Sequence, residues 1–403
     1  MRNSRPNLVV YRLAQVVSWF VATFLFKRKI LRNEIRGKQG AYVVIANHQA
    51  QYDFVNLIGL THRPVRFVIS SSFYNALSIK WVLDKMGVIP KQQFQTTVKD
   101  MKRMKSAVEK GEPLVIYPAG LMCEDGLSTP IPAATYKFLK WLGVDVYMAR
   151  TRGTYFAMPK WSKGIRPGRT YLAVYTLFDK EELAAMDVPA IRSRAEEALL
   201  FDAYREQEEL LVKYKDNGNI EGLENVLYMC PHCQSEFTME VKNGSTIRCS
   251  HCGYEQTSDC FAFLHHNGGV GTELRYVSDW SRLIYDTLKV RMGRGEACEL
   301  SVGTRIHMTN GKKFAEVGQG RLTLCREQFT IRGRICGEET ELEIPITNLP
   351  TLPFSPGRFL EIQKGETIYR CVLDDGKQVM KLINMVKIFY ELNWAEAQAG
   401  KQN

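Results

Sequence analysis

Residues 42–53 read YVVIANHQAQYD, and this stretch decides how the first half of the chain is interpreted. The apolar run 42–46 predicts a buried strand, and the apolar residues 54–60 predict the start of a buried helix. His48 therefore lies where a strand ends, and Asp53 lies where a helix begins. Ligands bind at strand ends in open α/β sheets. A carboxylate placed there can hold an imidazole in one tautomer and leave its other nitrogen free to accept a proton.

A second apolar strand, residues 113–117, runs into a turn of Pro118, Ala119 and Gly120. Together the two strand-to-turn signals resemble the glycerolipid acyltransferase family, which includes 1-acylglycerol-3-phosphate acyltransferase. The matching residues are Asn47, His48, Asp53, Pro118 and Gly120, within a resemblance that covers roughly residues 8–180. The alternative is that His48 is an ordinary surface histidine beside a helix-capping Asp53.

The resemblance implies an α/β fold, with a glycerolipid-acyltransferase-like sheet and flanking helices. It also implies a membrane-associated O-acyltransferase that uses acyl-CoA or acyl-carrier protein as donor and a lysophospholipid such as 1-acylglycerol-3-phosphate as acceptor. His48 would be the general base and Asp53 would orient it, without an acyl-enzyme. The residues assigned to acceptor binding are Asn47, Lys91, Pro118, Gly120, Arg150 and Arg152.

Three positions depart from the pattern of the family. Ala50 stands where the family has Ser, Ala119 where it has Glu, and Leu121 where it has Thr. In the family, the Glu and the basic residue after the Thr help to hold the acceptor. These departures therefore bear on the identity of the acceptor more than on the chemistry.

The composition favours an anionic partner. The chain has 403 residues and a formal charge of +11, which suits a lipid surface, a CoA or phosphate group, or nucleic acid. Four of the ten cysteines form two Cys-x-x-Cys pairs and six are scattered. Scattered cysteines indicate a reducing compartment. We therefore expect the protein at the cytoplasmic face of the cell membrane.

Residues 8–26 are apolar but include Arg12 and Gln15, and they are followed by the basic run 27–29. About 20 apolar residues would cross a bilayer, and a charged side chain inside one is costly. The pattern therefore predicts an interfacial helix on a membrane surface. An ordinary core helix of a soluble domain is the alternative.

The second strong signal is a metal-binding pattern. Cys230, Cys233, Cys249 and Cys252 have the spacing C-x2-C-x15-C-x2-C, which is typical of a zinc ribbon. Four thiolates would close the coordination of Zn²⁺, so the predicted site is structural. His232 and His251 are expected to be exposed spacers. The ribbon has no basic, aromatic-rich hairpin, so no nucleic-acid partner is expected.

From about residue 299 the pattern becomes β-like, and an amphipathic helix closes the chain. This order of elements is similar to the pleckstrin-homology and GRAM superfold. An alternative function is a non-catalytic zinc-ribbon binding protein or lipid-sensing adaptor with a degenerate acyltransferase domain. The predicted divisions are an N-terminal helix (1–34), an acyltransferase domain (35–178), a helical linker (179–227), a zinc ribbon (228–258), a connecting helix (259–295) and a β-domain (296–403).

Overall fold

The structure is a computed structural model that describes residues 5–77, 79–93, 97–309, 314–365 and 367–399. The chain divides into two compact units. The first unit consists of residues 1–160 and 164–217, and the second of residues 161–163 and 218–403. The six predicted divisions are finer than these units and stay predictions.

The first unit is an α/β unit. Its helices are α1 (Leu8–Phe24), α2 (Asp53–Ile58), α3 (Ser71–Ala76), α4 (Lys80–Lys85), α5 (Val98–Glu109), α6 (Ala134–Leu142), α7 (Thr154–Ala157), α8 (Lys180–Ala185), α9 (Val188–Leu199) and α10 (Ala203–Leu210). Its strands are β1 (Lys29–Asn33), β2 (Val43–Ala46), β3 (Arg66–Ser70), β4 (Ile89–Lys91), β5 (Leu114–Ile116), β6 (Val146–Arg152) and β7 (Tyr171–Phe178).

The strands form one sheet in the order β1-β7-β6-β2-β5-β3-β4. Neighbouring strands are parallel except for the antiparallel pair β6 and β7. Val43 and Ile45 of β2 pack with α5, α6 and α9, whereas Val44 and Ala46 pack with α1 and α2. A parallel sheet is stable when both faces are covered in this way. The predicted α/β fold with flanking helices is confirmed.

The segment from residue 180 forms three short helices because aspartates cap their starts. Asp179, Asp187 and Asp202 each accept a backbone N–H from the first turn of the following helix, at 2.7, 2.8 and 3.0 Å. The predicted helical linker covers residues 179–227, but the last of these helices stops well before its end. It ends at Leu210, because Leu211 has a left-handed backbone with φ 45°.

The second unit is built mainly of antiparallel sheets. Its strands are β8 (Met239–Lys242), β9 (Thr246–Cys249), β10 (Glu255–Ser258), β11 (Leu264–His266), β12 (Leu300–Thr309), β13 (Phe314–Leu324), β14 (Gln328–Ile335), β15 (Glu338–Pro345), β16 (Phe354–Ser355), β17 (Phe359–Lys364) and β18 (Thr367–Leu373). Its helices are α11 (Val277–Gly293) and α12 (Gln378–Ala399), and Leu223–Asn225 and Ile346–Asn348 are 3₁₀ turns.

Two sheets divide these strands. The smaller has the order β11-β10-β9-β8 and the larger has the order β15-β14-β13-β12-β18-β17-β16. Helix α12 contributes fully buried residues such as Leu382, Ile383 and Val386, so its apolar face is part of the core. The predicted β-rich domain closed by a helix is confirmed. Its similarity to the pleckstrin-homology superfold stays a prediction.

Candidate active site and metal centre

His48 and Asp53 meet at the end of β2, as the sequence predicts. His48 Nδ1 lies 2.9 Å from Asp53 Oδ2, and the imidazole is partly exposed whereas the carboxylate is fully buried. Since a carboxylate only accepts, Nδ1 carries the proton and Nε2 keeps its lone pair. None of the described residues hydrogen-bonds to Nε2. The imidazole can therefore take a proton from a bound molecule.

The turn itself holds Asp53 in place. Its Oδ2 also accepts the backbone N–H groups of Gln49 at 2.7 Å and Ala50 at 2.9 Å. Asp53 is the first residue of α2, where the helix dipole favours a negative charge. Among the described residues, Asp53 Oδ1 has no hydrogen-bond partner. The same oxygen, Oδ2, thus accepts from the His48 ring and from both backbone N–H groups. The two backbone contacts hold the carboxylate, and the carboxylate holds the imidazole.

Tyr117 supports the imidazole from the neighbouring strand. It follows β5, which pairs with β2, and its ring centroid lies 4.4 Å from that of His48 with the planes 34° apart. Burial, with a further contribution from Asp53, raises the pKa of Tyr117 well above its ordinary value. The buried hydroxyl has no partner within the described ranges. The contact with His48 is therefore made by the ring and not by the hydroxyl.

A small cleft lies beside His48. Its volume is about 10 Å³, close to the space that one water molecule needs. Its lining consists of small, hydroxyl-bearing and apolar residues besides His48: Ala46, Asn47, Ala119, Ser128, Thr129, Ile131, Leu199 and Phe201. Leu199 is the last residue of α9, and Phe201 lies in the connection between α9 and α10. The helices that follow the sheet thus supply one wall of the cleft.

Asn47 links two strands. Its side chain donates to Thr151 O at 2.8 Å and accepts from Thr151 N at 2.8 Å and Thr151 Oγ1 at 3.1 Å. These bonds join the ends of β2 and β6 and occupy both ends of the buried amide. The structure gives Asn47 a structural role, and its predicted contact with the acceptor stays a prediction.

The predicted turn after β5 lies beside the His48 turn. Pro118 is buried, and Gly120 has φ 71°, a left-handed conformation that favours glycine. Gly120 O accepts a hydrogen bond from Gln93 Nε2 at 2.6 Å. Ala119, the residue between them, lines the cleft. This turn therefore contacts the cleft through Ala119, which stands where the family pattern has Glu.

Lys91 lies away from His48. It ends β4, the edge strand, which is three strands from β2, or roughly 14 Å at ordinary strand spacing. Its ammonium donates to Gln92 O at 3.3 Å, and burial lowers its pKa, although Asp100 acts in the opposite direction. The structure does not bring Lys91 together with His48 and Asp53, and its role in acceptor binding stays a prediction.

Arg150 and Arg152 lie on β6, next to β2, but their guanidinium groups are engaged by α10. Arg150 Nη2 donates to Glu206 Oε1 at 2.5 Å, and Arg150 Nη1 donates to Ala198 O and Leu200 O at 3.0 and 2.9 Å. Arg152 forms an ion pair with Glu209. Their predicted binding of a phosphate stays a prediction.

Gln49 and Glu206 are not among the residues that the sequence predicts for the site. Gln49 is fully buried, and its amide donates to Glu206 Oε2 at 3.2 Å and accepts from Thr154 Oγ1 at 3.1 Å. Gln49 and Glu206 are 157 residues apart, and Gln49 resembles any other polar residue of a turn. No local pattern of the sequence indicates this contact.

A histidine base held by a buried carboxylate, at a strand end of an α/β sheet, is typical of an enzyme that activates a hydroxyl or a water. Residues 27–159 match the family model described as Acyltransferase. The first unit therefore contains an acyltransferase-family domain, and the resemblance drawn from the two motifs is confirmed at this level.

One solved structure to which the chain is similar is the 1-acyl-sn-glycerophosphate (LPA) acyltransferase PlsC from Thermotoga maritima. The sequence identity is 17% and the TM-score is 0.42, over 50% of this chain and 79% of that one. No curated protein matches the chain.

The four predicted cysteines converge in the second unit. Their sulfur atoms all lie within 4.8 Å of one another, with Cys230 Sγ 3.6 Å from Cys252 Sγ and Cys233 Sγ 3.8 Å from Cys249 Sγ. Zn–S bonds of about 2.3 Å in a tetrahedron place the sulfurs about 3.8 Å apart. The cysteines are free thiols, and their geometry fits one metal ion.

The two turns of the cluster share one backbone conformation. The residue after the second cysteine of each pair is left-handed, with φ 59° at Gln234 and 81° at Gly253. His232 and His251 are exposed and do not belong to the cluster, as the sequence predicted.

The first cysteine turn packs against both long helices of the second unit. Trp280 of α11 is fully buried and donates from Nε1 to Met229 O at 3.0 Å. Lys381 of α12 pairs with Glu236 at 2.6 Å. The cluster is thus anchored to α11 and α12.

Proposed function

We propose that the protein is a membrane-associated O-acyltransferase that moves an acyl chain from acyl-CoA or acyl-carrier protein to a hydroxyl of a lysophospholipid, in phospholipid biosynthesis. The acceptor implied by the family resemblance is 1-acylglycerol-3-phosphate. The observation that supports this proposal best is the 2.9 Å contact between His48 Nδ1 and the buried Asp53, with the ring lining a cleft.

In the proposed reaction, His48 Nε2 takes the proton of the acceptor hydroxyl as its oxygen attacks the thioester carbonyl carbon. The C–S bond breaks, and the imidazolium returns the proton to the leaving thiolate. Asp53 holds the ring and stabilises its charge. General-base catalysis of this kind contributes roughly 100- to 10,000-fold to the rate.

Transfer without an acyl-enzyme is supported by the state of Cys123, which contacts the backbone of the His48 turn. Cys123 is fully buried, and its Sγ lies 3.6 Å from Gln49 O. Burial, together with the neighbouring acidic residues, raises the pKa of its thiol well above the ordinary value. A buried, protonated thiol is a poor nucleophile.

The test is acyl transfer by the purified protein, with labelled acyl-CoA or acyl-carrier protein and a panel of lysophospholipids. We expect His48→Ala to lower turnover roughly 100- to 10,000-fold. His265→Ala is the matched control, because His265 also lies 2.9 Å from an aspartate, Asp259. Near-normal transfer by His48→Ala, or equal losses in both variants, would contradict the proposal.

The proposed attachment to a membrane is supported by α1. One face packs through the buried Tyr11 and Ala22, while the other exposes eight large apolar residues: Leu8, Val9, Leu13, Val16, Val17, Trp19, Phe20 and Phe24. In the described part of the chain, no helix is both long enough and apolar enough to cross a bilayer. An amphipathic helix of this kind suits a membrane surface.

Co-sedimentation with vesicles of phosphatidylcholine and phosphatidylglycerol tests this surface. We expect Trp19→Glu to weaken binding about tenfold or more, because it removes an apolar anchor. Trp394→Glu is the matched control, since Trp394 is 57% exposed and Trp19 is 54% exposed. Equal binding by both variants would contradict the attachment through α1.

We further propose that the cysteine cluster holds a structural Zn²⁺ and that the protein lies at the cytoplasmic face of the cell membrane. Four thiolates leave no open position on the ion, and free thiols suit a reducing compartment. Cys230→Ser should lose the metal and the hydrogen-exchange protection of residues 228–258. Cys260→Ser, at an exposed cysteine outside the cluster, should keep both. Metal content that is unchanged in Cys230→Ser would contradict the assignment.

A further inference from the structure

Helix α4 has no fully buried residue, and it presents a tryptophan to solvent. Trp81 is 61% exposed, and Ile79, directly before the helix, is exposed as well. Val82, the next residue, packs against the core that contains Tyr11 of α1. One exposed apolar residue is ordinary, whereas a contiguous apolar patch marks a binding surface. The neighbours of Trp81 therefore decide how its exposure is interpreted.

The exposed side of α4 adjoins the start of α1. Asn7, which caps α1, donates its backbone N–H to Lys85 O at 2.7 Å. The ammonium group of Lys85 in turn lies 5.6 Å from the centre of the Trp81 ring. Leu8 and Val9, the first two residues of α1, are exposed. The exposed apolar residues of α1 and α4 therefore lie on adjoining parts of one surface.

Helix α1 crosses the sheet from one edge to the other. It begins beside α4, which leads into the edge strand β4, and it ends just before β1, the opposite edge strand. Its 17 residues span about 25 Å, and its buried side packs with residues of β2, β3 and β7. Ile30 and Leu31 of β1 are again exposed. Exposed apolar residues thus follow the full width of the sheet, as contact with an extended lipid surface requires.

Cations flank this surface at both ends. Lys85 lies beside the start of α1, and Lys27 and Lys29 lie just after its end; all three are exposed. None of the three forms an ion pair with any residue that the structure describes. Asp84, the acidic neighbour of Lys85, accepts a hydrogen bond from the Tyr74 hydroxyl at 2.6 Å. Unpaired cations beside exposed apolar residues are attracted to a lipid surface that carries negative charge.

A second tryptophan–lysine pair lies on the other face of the sheet. Trp141 of α6 is 45% exposed, and the ammonium group of Lys105 lies 5.3 Å from the centre of its ring. Lys105 also donates to Trp141 O at 3.1 Å and to Leu142 O at 3.0 Å, so it is bound to the end of α6. Lys85 makes no such bond to a described residue. Helix α6 packs on the side of the sheet opposite α1, which makes this pair a matched control.

We propose that α4 is a second membrane-contact element, which binds the surface of an anionic phospholipid bilayer through Trp81 and Lys85, beside α1. Trp81 supplies an aromatic anchor, and Lys85 supplies a charge that favours anionic over zwitterionic lipid. This inference rests on the proposed attachment through α1, and it adds a second contact and the charge of the lipid.

The first test is co-sedimentation with vesicles of phosphatidylcholine and phosphatidylglycerol. Trp81→Glu should weaken binding about tenfold or more, because it replaces an apolar anchor by a charge of the same sign as the lipid. Trp141→Glu makes the same change on the opposite face and should leave binding unchanged. Equal binding by the two variants overturns the inference.

The second test concerns the charge of the lipid. Lys85→Gln should weaken binding to vesicles that contain phosphatidylglycerol about fivefold and should not change binding to vesicles of phosphatidylcholine alone. Lys105→Gln should change neither. A loss on both kinds of vesicle, or an equal loss for Lys105→Gln, overturns the role of Lys85.

A third measurement keeps the inference testable if Trp81→Glu does not fold. Trp81→Phe keeps an apolar ring, and vesicles that contain brominated lipid quench the fluorescence of tryptophans that touch them. The quenched fraction should fall in Trp81→Phe and stay unchanged in Trp141→Phe. An unchanged fraction in Trp81→Phe overturns the contact.

Vesicle binding needs no turnover, so these results hold whether or not the protein transfers an acyl chain. If Trp19→Glu loses binding and Trp81→Glu keeps it, the attachment through α1 stands and the inference is overturned. If only Trp81→Glu loses binding, the attachment through α1 fails and the contact through α4 is supported. If Trp81→Glu instead changes the oligomeric state without vesicles and leaves vesicle binding intact, this face binds a second copy of the chain and the inference is overturned.

Discussion

In the part of the chain that the structure describes, two aspartate–histidine pairs each combine a contact to a histidine ring with two backbone N–H groups. Asp53 accepts from Gln49 N, Ala50 N and the His48 ring, and Asp259 accepts from the Phe261 and Phe263 N–H groups and the His265 ring. In both pairs the distance from the ring nitrogen to the carboxylate is 2.9 Å. The pairs differ in detail, because Asp53 makes all three contacts through Oδ2 and meets His48 Nδ1, whereas Asp259 accepts the two backbone groups on Oδ1 and meets His265 Nε2 through Oδ2. The number and length of the contacts alone do not distinguish a catalytic pair from a turn.

The surroundings distinguish them. The Asp53 side chain is fully buried and His48 is 19% exposed, whereas the corresponding values are 29% for Asp259 and 45% for His265. His48 also contacts the ring of Tyr117 and lines a cleft at the end of a parallel strand. A site for chemistry thus depends on the sheet and the helices around the pair.

The largest expected difference between the two pairs is in catalysis. Asp53→Asn should lower kcat roughly 100- to 10,000-fold, because an amide no longer favours the proton on His48 Nδ1 or stabilises the imidazolium. Asp259→Asn removes a carboxylate that also contacts two backbone N–H groups and a histidine ring, and it should leave acyl transfer unchanged. Steady-state acyl transfer by both variants checks this. Equal losses would show that the two pairs do not differ in the way we propose.

The next largest expected effect is on the free energy of unfolding. It concerns Asn47, which links the ends of β2 and β6 beside His48. Asn47→Ala removes three buried hydrogen bonds to Thr151 and leaves their partners unsatisfied. The free energy of unfolding should fall by about 2–4 kcal/mol, measured by urea denaturation. Asn267→Ala is the control, since Asn267 is exposed and donates to Glu255 and Thr257 near the second pair. A loss for Asn47→Ala no larger than that of the control would contradict the structural role.

The smallest effect concerns the hydroxyl of Tyr117. Because it is buried without a partner in the described residues, Tyr117→Phe should change the free energy of unfolding by no more than about 1 kcal/mol, towards greater stability. Tyr11→Phe is the control, because the Tyr11 hydroxyl accepts from Val65 N at 3.0 Å and donates to Val65 O at 3.3 Å. Tyr11→Phe should cost about 1 kcal/mol. A loss of stability for Tyr117→Phe equal to that of the control would mean that this hydroxyl has a partner.

The sequence predicts the parts of both sites that depend on neighbouring residues. The run from Val43 to Asp53 predicts the strand, the turn and the helix that bring His48 and Asp53 together, and the two Cys-x-x-Cys turns predict the cysteine cluster. In each case, local turn chemistry and apolar periodicity fix the positions. The same features identify the α/β fold and the β-rich second unit.

The parts that depend on distant residues could not be predicted. The predicted role of Arg150 in acceptor binding stays a prediction, and its contact with Glu206, 56 residues away and brought to it by the docking of α10, has no local signal. The role of Lys91, which the family resemblance implies, stays a prediction, and the strand order that places it at an edge of the sheet is not visible in neighbouring residues. Long-range packing of helices and strand order leave no local signal in the sequence.

The pairing of β1 has a consequence for how this fold can be divided. β1 is an edge strand whose neighbour in the sheet is β7, and β7 begins at Tyr171, beyond the end of the family match at residue 159. A recombination event that exchanged only residues 27–159 would leave β1 and β6 with open edges, which invite aggregation. The segment that must be kept together to complete this sheet therefore extends at least to Phe178, beyond the end of the family match.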